Sequence, residues 1–291
     1  MVECRVRRRA FLLAMASAMA TCHLRPARAG SPLRVAAIDW AMAETAIMLG
    51  HAPVAMAELL AFRTSTPAPP PASTIDLGLR GAPNLEAVTL ADPDLILSSN
   101  YYTFIEPQLS RIAPVYAQTL FTAGDPPLPR LLALVTSLAA RIGIDGTVAL
   151  AQANETLDSL AQRLSANHGT PCLLVEIGDS RHVRVFGDDS LFGGILTRLG
   201  LRNAWAEGTQ FSFAAPVPIA SLARFTQARI ITVGDIPPQV TRGLGASALW
   251  NALPAVQAGR VSHLPDMNGF GGLPSGLFFA DRLTAALEAQ L

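Results

Sequence analysis

Beyond residue 29 the chain keeps four histidines, His51, His168, His182 and His263, and no two stand at the spacing that lets a pair share a metal ion. There is no GxSxG, no HExxH and no CxxC, so the residue sets of hydrolases, zinc proteases and dithiol enzymes are missing. All 22 basic residues are arginine, which excludes a Schiff-base or P-loop lysine. Gly243-Leu244-Gly245-Ala246-Ser247-Ala248 fits a GxGxxA pattern, yet no strand pattern leads directly into it, and it reads as a turn. Asp188-Asp189 lacks calcium-loop spacing and reads as an acidic turn ahead of a helix. Cys172 sits in the apolar run Cys172-Leu173-Leu174-Val175, the setting of a small core hydrophobe and not of a nucleophile. So few catalytic groups point to binding, and no enzymatic activity is expected.

The elements that would carry a binding surface alternate. Residues 35–38 read as a short buried strand, 42–49 as a helix stopped by Gly50, and 54–56 as the next strand. Residues 67–71 are too rich in proline for regular structure. A helix over 84–90 with Asn84 as N-cap leads to a strand at 95–97. The second half repeats this logic, with strands at 173–177 and 183–186, a helix capped by Ser190 and ending at Leu199, a helix over 219–225 and a strand at 230–233. Between the halves, Leu131, Leu134, Val135, Leu138 and Ile142 recur at helical spacing after Pro127 and Pro129, and a second helix fits 148–164. The expectation is an α/β fold of two lobes, 30–126 and 147–291, joined by one long helix within 127–146.

Half of the 291 residues are hydrophobic and 15% are charged, so folding can bury enough apolar surface to offset chain entropy. The first 29 residues read as an export signal: basic Arg7-Arg8-Arg9, an apolar stretch over 10–20, and a small-residue cleavage site at Ala27-Arg28-Ala29. Arg8-Arg9-Ala10-Phe11-Leu12 matches the RRxFL pattern of twin-arginine signals. Thr21 makes Cys22 a poor lipidation site. Cleavage leaves sixteen arginines against twenty-one acids, a balance that disfavours nucleic acid or anionic lipid as partner. It also leaves only Cys172, so no internal disulfide is expected, and no later apolar run is long enough to span a membrane.

Several segments carry a resemblance. Ile75-Asp76-Leu77-Gly78-Leu79-Arg80-Gly81-Ala82-Pro83-Asn84-Leu85-Glu86, Arg111-Ile112-Ala113-Pro114, Arg181-His182-Val183-Arg184-Val185-Phe186-Gly187, Ser190-Leu191-Phe192, Asn203-Ala204-Trp205, Leu249-Trp250-Asn251-Ala252-Leu253-Pro254 and Ala258-Gly259-Arg260 follow one another in order. Together they resemble the periplasmic ferric-hydroxamate-binding proteins of siderophore ABC importers, from about residue 34 to 287. The resemblance implies two lobes on a helical backbone with a shallow cleft between them. It implies a periplasmic protein that takes a ferric siderophore to an inner-membrane permease and its ATPase. It also implies no cofactor of its own, because the siderophore fills the coordination sphere of the iron. A monomer is expected.

By the same resemblance, Arg80 and Tyr101 meet the chelate oxygens, with the adjacent Tyr102 leaving the register open by one residue. A guanidinium suits that task, being planar, always charged and rich in donors. Thr64, Ser212 and Asn268 stand where the family carries cleft tryptophans, while Phe62, Phe104, Phe211, Phe213 and Phe270 lie nearby, and Phe211, Phe213 and Phe270 are taken as cleft residues. Trp40 is expected in the core or the cleft floor. Arg80, with Arg63 as a possible second, is too little positive charge to desolvate a triply anionic ferric tris-catecholate, so a tris-hydroxamate neutral at iron fits better. Glu106 is expected to dock on the permease. The alternatives are a mixed carboxylate siderophore, cobalamin or haem on the same fold, an exported hydrolase, and a surface or signalling module.

Overall fold

The computed structural model describes residues 32–210 and 212–289. The export signal with Cys22, and the proposed cleft residue Phe211, lie outside the described residues. The first lobe runs β1 (Val35–Ala37), α1 (Trp40–Met48), β2 (Ala55–Met56), α2 (Leu59–Ser65), β3 (Ile75–Asp76), a hairpin of β4 (Gly78–Leu79) and β5 (Ala82–Pro83), α3 (Leu85–Leu90), β6 (Leu95–Ser99), α4 (Glu106–Leu109) and β7 (Val115–Gln118). Its main sheet is parallel, in the order β3-β2-β1-β6-β7. β6 is buried along its whole length, which is why it reads as an unbroken apolar run rather than an alternating one. Local caps set the helix starts: Asp39 Oδ1 accepts the Met42 N–H at 3.1 Å, and Asn84 accepts from Glu86 and Ala87.

α5 (Leu128–Ile142) follows, and Gly143 closes it in the left-handed conformation at φ 76°. Leu131, Leu134, Val135, Leu138 and Ile142 are all buried. The helix packs on α1 of the first lobe and on α6 (Thr147–Arg163) and α7 (Leu191–Arg198) beyond it. The second sheet takes β8 (Pro171–Ile177), β9 (His182–Phe186), β10 (Arg202–Asn203), β11 (Phe213–Pro218), β12 (Arg229–Val233) and β13 (Val261–Leu264). Its order is β11-β9-β8-β12-β13, with β10 beside β8; β8, β10, β12 and β13 are parallel, and β9 and β11 antiparallel. Ser190 caps α7 through the Gly193 N–H at 2.8 Å. Between β12 and β13 lie α8 (Pro238–Ala246), α9 (Ala248–Asn251) and α10 (Pro254–Gln257), and α11 (Leu273–Glu288) ends the fold.

Three expectations change. Residues 219–224 form a 3₁₀ rather than an α-helix. Gly243–Ala246 is the end of α8, not a free turn, because Pro238 pre-sets the first turn and Leu244 is buried. β7, β13 and α11 escaped the sequence reading, and α11 matters most, because it packs on α1 as well as on α6 and α7. It therefore ties both lobes together. Cys172 is fully buried, and burial pushes its thiol up to about 12, so it stays protonated as a core residue. Among the described residues no helix is long and apolar enough to cross a membrane.

Candidate functional site

Parallel strands deliver their following residues to one edge of the sheet, where ligands of α/β folds sit. In the first lobe that edge carries Asp39 and Trp40 after β1, Glu58 after β2, Arg80 after β3–β4, and Tyr101 and Tyr102 after β6. Arg80 is doubly held. Its Nε donates to Glu58 Oε2 at 2.8 Å and its backbone N–H to Glu58 Oε1 at 3.2 Å. Its guanidinium carbon lies 4.2 Å from the centre of the Trp40 ring, a cation–π contact. Trp40 is itself fixed by its indole N–H to Ala57 O at 3.0 Å and by edge-on packing against Phe62. The Asp39 carboxylate accepts from Ser99 Oγ at 2.7 Å, and burial raises its pKa.

The two tyrosines separate. Burial pushes the Tyr102 phenol up to about 12, against the pull of the nearby Arg80 cation. The Tyr101 ring instead packs between Phe121 and Phe270, 6.4 Å from each, and its hydroxyl is buried with no hydrogen-bond partner. Of the two it is Tyr102 that feels the Arg80 cation, while the Tyr101 ring belongs to the aromatic cluster.

Facing this edge is a cavity of about 310 Å³ lined by Trp40 and Ser65 from the first lobe and by Glu176, Arg184, Asn268 and Phe270 among others from the second. Of the residues named from the sequence, Asn268 and Phe270 line this cavity. Phe213 lies beside Phe270, ring centres 6.3 Å apart, and is covered by Arg184 at 4.5 Å. Thr64 does not line the cavity; it is exposed on α2, with its hydroxyl bonded back to Ala61 O, and Ser65 takes its place. Ser212 is buried away from it, donating to Asp189 from both N and Oγ. Arg63 is turned to the carbonyls of Pro71 and Ala72. Glu106, the first residue of α4, is partly exposed.

The sequence reading missed the polar wall of the second lobe. Arg184 and Glu176 pair across β9 and β8 at 2.8 Å, and Asp235 and Asp266 follow β12 and β13 into the same cavity. Arg184 in the cavity and Arg80 against the cavity residue Trp40 thus each have their own glutamate, and two exposed aspartates are left over. The signal was available: a charged residue at the inward end of each of several parallel strands. Among the described residues no group of three or more His, Cys, Asp or Glu could hold a metal ion.

Two α/β lobes, a helical connector and a polar cavity between their sheet edges define a solute-binding protein of the periplasmic type. The chain belongs to the periplasmic binding protein family, whose model matches residues 35–267, and this places it among exported periplasmic proteins. It is similar to the iron(3+)-hydroxamate-binding protein FhuD of Escherichia coli (strain K12), 32% identical over 290 residues and 98% of each chain. Among solved structures it resembles the siderophore-binding protein FhuD from Vibrio cholerae bound to Fe3+-Desferal, with a TM-score of 0.77, 25% identity, and coverage of 89% of this chain and 99% of that one. SirA of Staphylococcus aureus shares the fold, with a TM-score of 0.68, 22% identity, and coverage of 88% and 98%.

Proposed function

We propose that the chain captures ferric hydroxamate siderophores and delivers them to an ABC permease. The observation that carries this is Arg80, pre-paired with Glu58 and stacked on Trp40, which lines the 310 Å³ cavity. A guanidinium and a phenol there offer donors to chelate oxygens without displacing any iron ligand. The charge balance supports a chelate neutral at iron. With Arg80 and Arg184 already neutralised by Glu58 and Glu176, and Asp235 and Asp266 added, a triply anionic catecholate would enter a site of its own sign. Similarity to the two iron(3+)-hydroxamate and Desferal-binding relatives supports the same choice. Haem is disfavoured, since an axial tyrosine binds as a phenolate, the Tyr101 hydroxyl is buried and burial pushes the Tyr102 phenol up to about 12.

The protein works in this reading as a monomer with no resident cofactor, exported by the twin-arginine route, with residues 30–126 and 147–291 as lobes, 127–146 as connector and Glu106 on the permease-facing surface. The test is a titration of intrinsic tryptophan fluorescence, which Trp40 reports from the cavity wall, with ferrichrome, a ferric tris-catecholate, cobalamin and haemin. Saturable binding of ferrichrome alone is expected; binding only of another chelate would overturn the assignment.

A further inference from the structure

Glu44 is a carboxylate in the middle of α1, flanked by buried Ala41, Met42, Ala43, Thr45 and Ala46, and only 1% exposed. Burying a charge is costly unless its lone pairs are filled, and here they are filled from the other lobe. Oε2 accepts the Gly272 N–H at 2.8 Å and the Ser275 N–H at 3.2 Å; Oε1 accepts Ser275 Oγ at 2.7 Å and Asn268 Nδ2 at 3.3 Å. These donors include the free amides at the start of α11, where the N-cap Gly272 offers no side-chain bond of its own. A local serine or aspartate cap would satisfy those amides with no reference to the first lobe. A cap delivered from α1 satisfies them only while the two lobes are in register.

The segment held this way carries cavity residues. Asn268 uses its other end, Oδ1, to accept the Phe270 N–H at 3.0 Å, so one side chain links Glu44 to the backbone that presents Phe270. The fit is close: a Cβ on Gly271 would stand 2.3 Å from Ser275 Oγ and 2.8 Å from Glu44 Oε1, and one on Gly272 would stand 2.7 Å from Ala41 O. No cation competes for Glu44 from the elements packed on α1. On α5, Arg130 pairs with Asp125 and Arg141 lies over Tyr116. On α11, Asp281 pairs with Arg282 and Glu288 with Arg163, and β1 and β6 carry no charge.

We infer that Glu44 is a positioning residue for the ligand cavity, holding Phe270 through Asn268 and the start of α11 directly against the first lobe; the link to affinity rests on the cavity being the siderophore site. Glu44→Gln keeps the shape but puts an amide donor against Asn268 Nδ2 or the α11 amides. It is expected to raise the Kd for ferrichrome roughly 10-fold, the scale of one charge-assisted hydrogen bond, mainly through faster release. Asn268→Ala should weaken binding comparably, and the double variant should lose less than the product of the two single losses, because part of the Glu44 effect runs through Asn268. Ser275→Ala, outside the cavity, should weaken binding in the same direction and guards against a Glu44→Gln chain that fails to fold. Amide hydrogen exchange without ligand gives an independent readout: Phe270 and Gly272 should exchange faster in Glu44→Gln and in Ser275→Ala, while the β12 amides are unchanged. Wild-type affinity in both variants, losses that multiply in the double variant, or unaltered exchange at Phe270 and Gly272 would overturn the inference. A wild-type protein that ignores ferrichrome would instead remove the siderophore reading, and the exchange data would still decide the role of Glu44.

Discussion

Arg80 meets Glu58 at 2.8 Å while Glu58 itself sits in the left-handed conformation at φ 52°, so the backbone at the end of β2 is turned to present an acid to the cleft cation. Both side chains are about a quarter exposed, and the pair is therefore open to a third polar partner.

Arg80→Ala removes the donor and leaves Glu58 partly exposed and able to rehydrate, so the fold should survive. Loss of a charge-assisted hydrogen bond to the chelate is worth ~1.5–3 kcal/mol, or roughly 10–150-fold in affinity. Arg80→Lys should recover only part of this, because an ammonium cannot contact Glu58 and a ligand in one plane. Fluorescence titration of variants with an unchanged melting temperature makes the measurement; undiminished affinity in Arg80→Ala would remove Arg80 from the site.

The tyrosines make opposite predictions. Tyr102→Phe deletes a hydroxyl in the field of the Arg80 cation and should weaken ferrichrome binding several-fold. Tyr101→Phe deletes a buried hydroxyl that has no partner, so it should leave affinity alone and raise stability by about 1 kcal/mol. Urea unfolding and titration of both variants check this, and the reverse pattern would restore Tyr101 as the ligand residue.

Legibility in the sequence followed the range of the interactions. Asn84 and Ser190 could be named as caps because their partners are two or three residues away. Arg80 could be named because it closes a recognisable strand–turn segment. Tyr101 and Tyr102 could not be told apart, since both lie in the 3₁₀ turn of residues 100–102, where one step along the chain carries a side chain from one core cluster to another. Arg184 and Glu176 depended on hairpin register, which decides which face a strand residue occupies. Glu44 was the least visible, for its partners lie 224 to 231 residues away; a lone acid in an otherwise apolar helix was its one trace.

That burial has a pH signature. Glu44 is pushed from an ordinary 4.5 up to about 7, chiefly by loss of solvent, with its four hydrogen bonds pulling the other way. A carboxyl whose pKa is higher folded than unfolded binds its proton more tightly in the native state, so its contribution is favourable at low pH and is lost as pH rises from about 4.5 to about 7. The size is about 3 kcal/mol at most. Asp39 is also raised and acts in the same direction, but it is common to wild type and Glu44→Gln. The stability of wild type minus that of Glu44→Gln should therefore fall between pH 5 and pH 8 in urea titrations. Parallel curves would show that Glu44 does not titrate in that range.

The last prediction concerns motion, and two buried carboxylates carry it. Glu44 reaches from the first lobe to the Gly272 amide at 2.8 Å, and Asp189 reaches from the second to the Gly124 amide at 2.9 Å. Asp189 also holds Thr209 and Ser212, and Glu44 cannot let go without leaving buried polar groups unpaired. α5 has no proline or glycine between Arg130 and Ile142, and a helix does not bend sharply without such an interruption or an inserted group. α11 packs on α1 as well as on its own lobe. Hinge-closing binding proteins rotate about flexible crossings; here the crossings are a helix, a second helix and two satisfied carboxylates. Ligand-free and ferrichrome-loaded protein should thus differ by a few degrees of lobe rotation, over a largely preformed cavity. Small-angle scattering with and without ferrichrome should give the same radius of gyration, and Glu44→Gln should be the variant in which a ligand-dependent difference first emerges. A clear contraction of the wild type on binding would show that these contacts break during capture, and that the connector is a hinge.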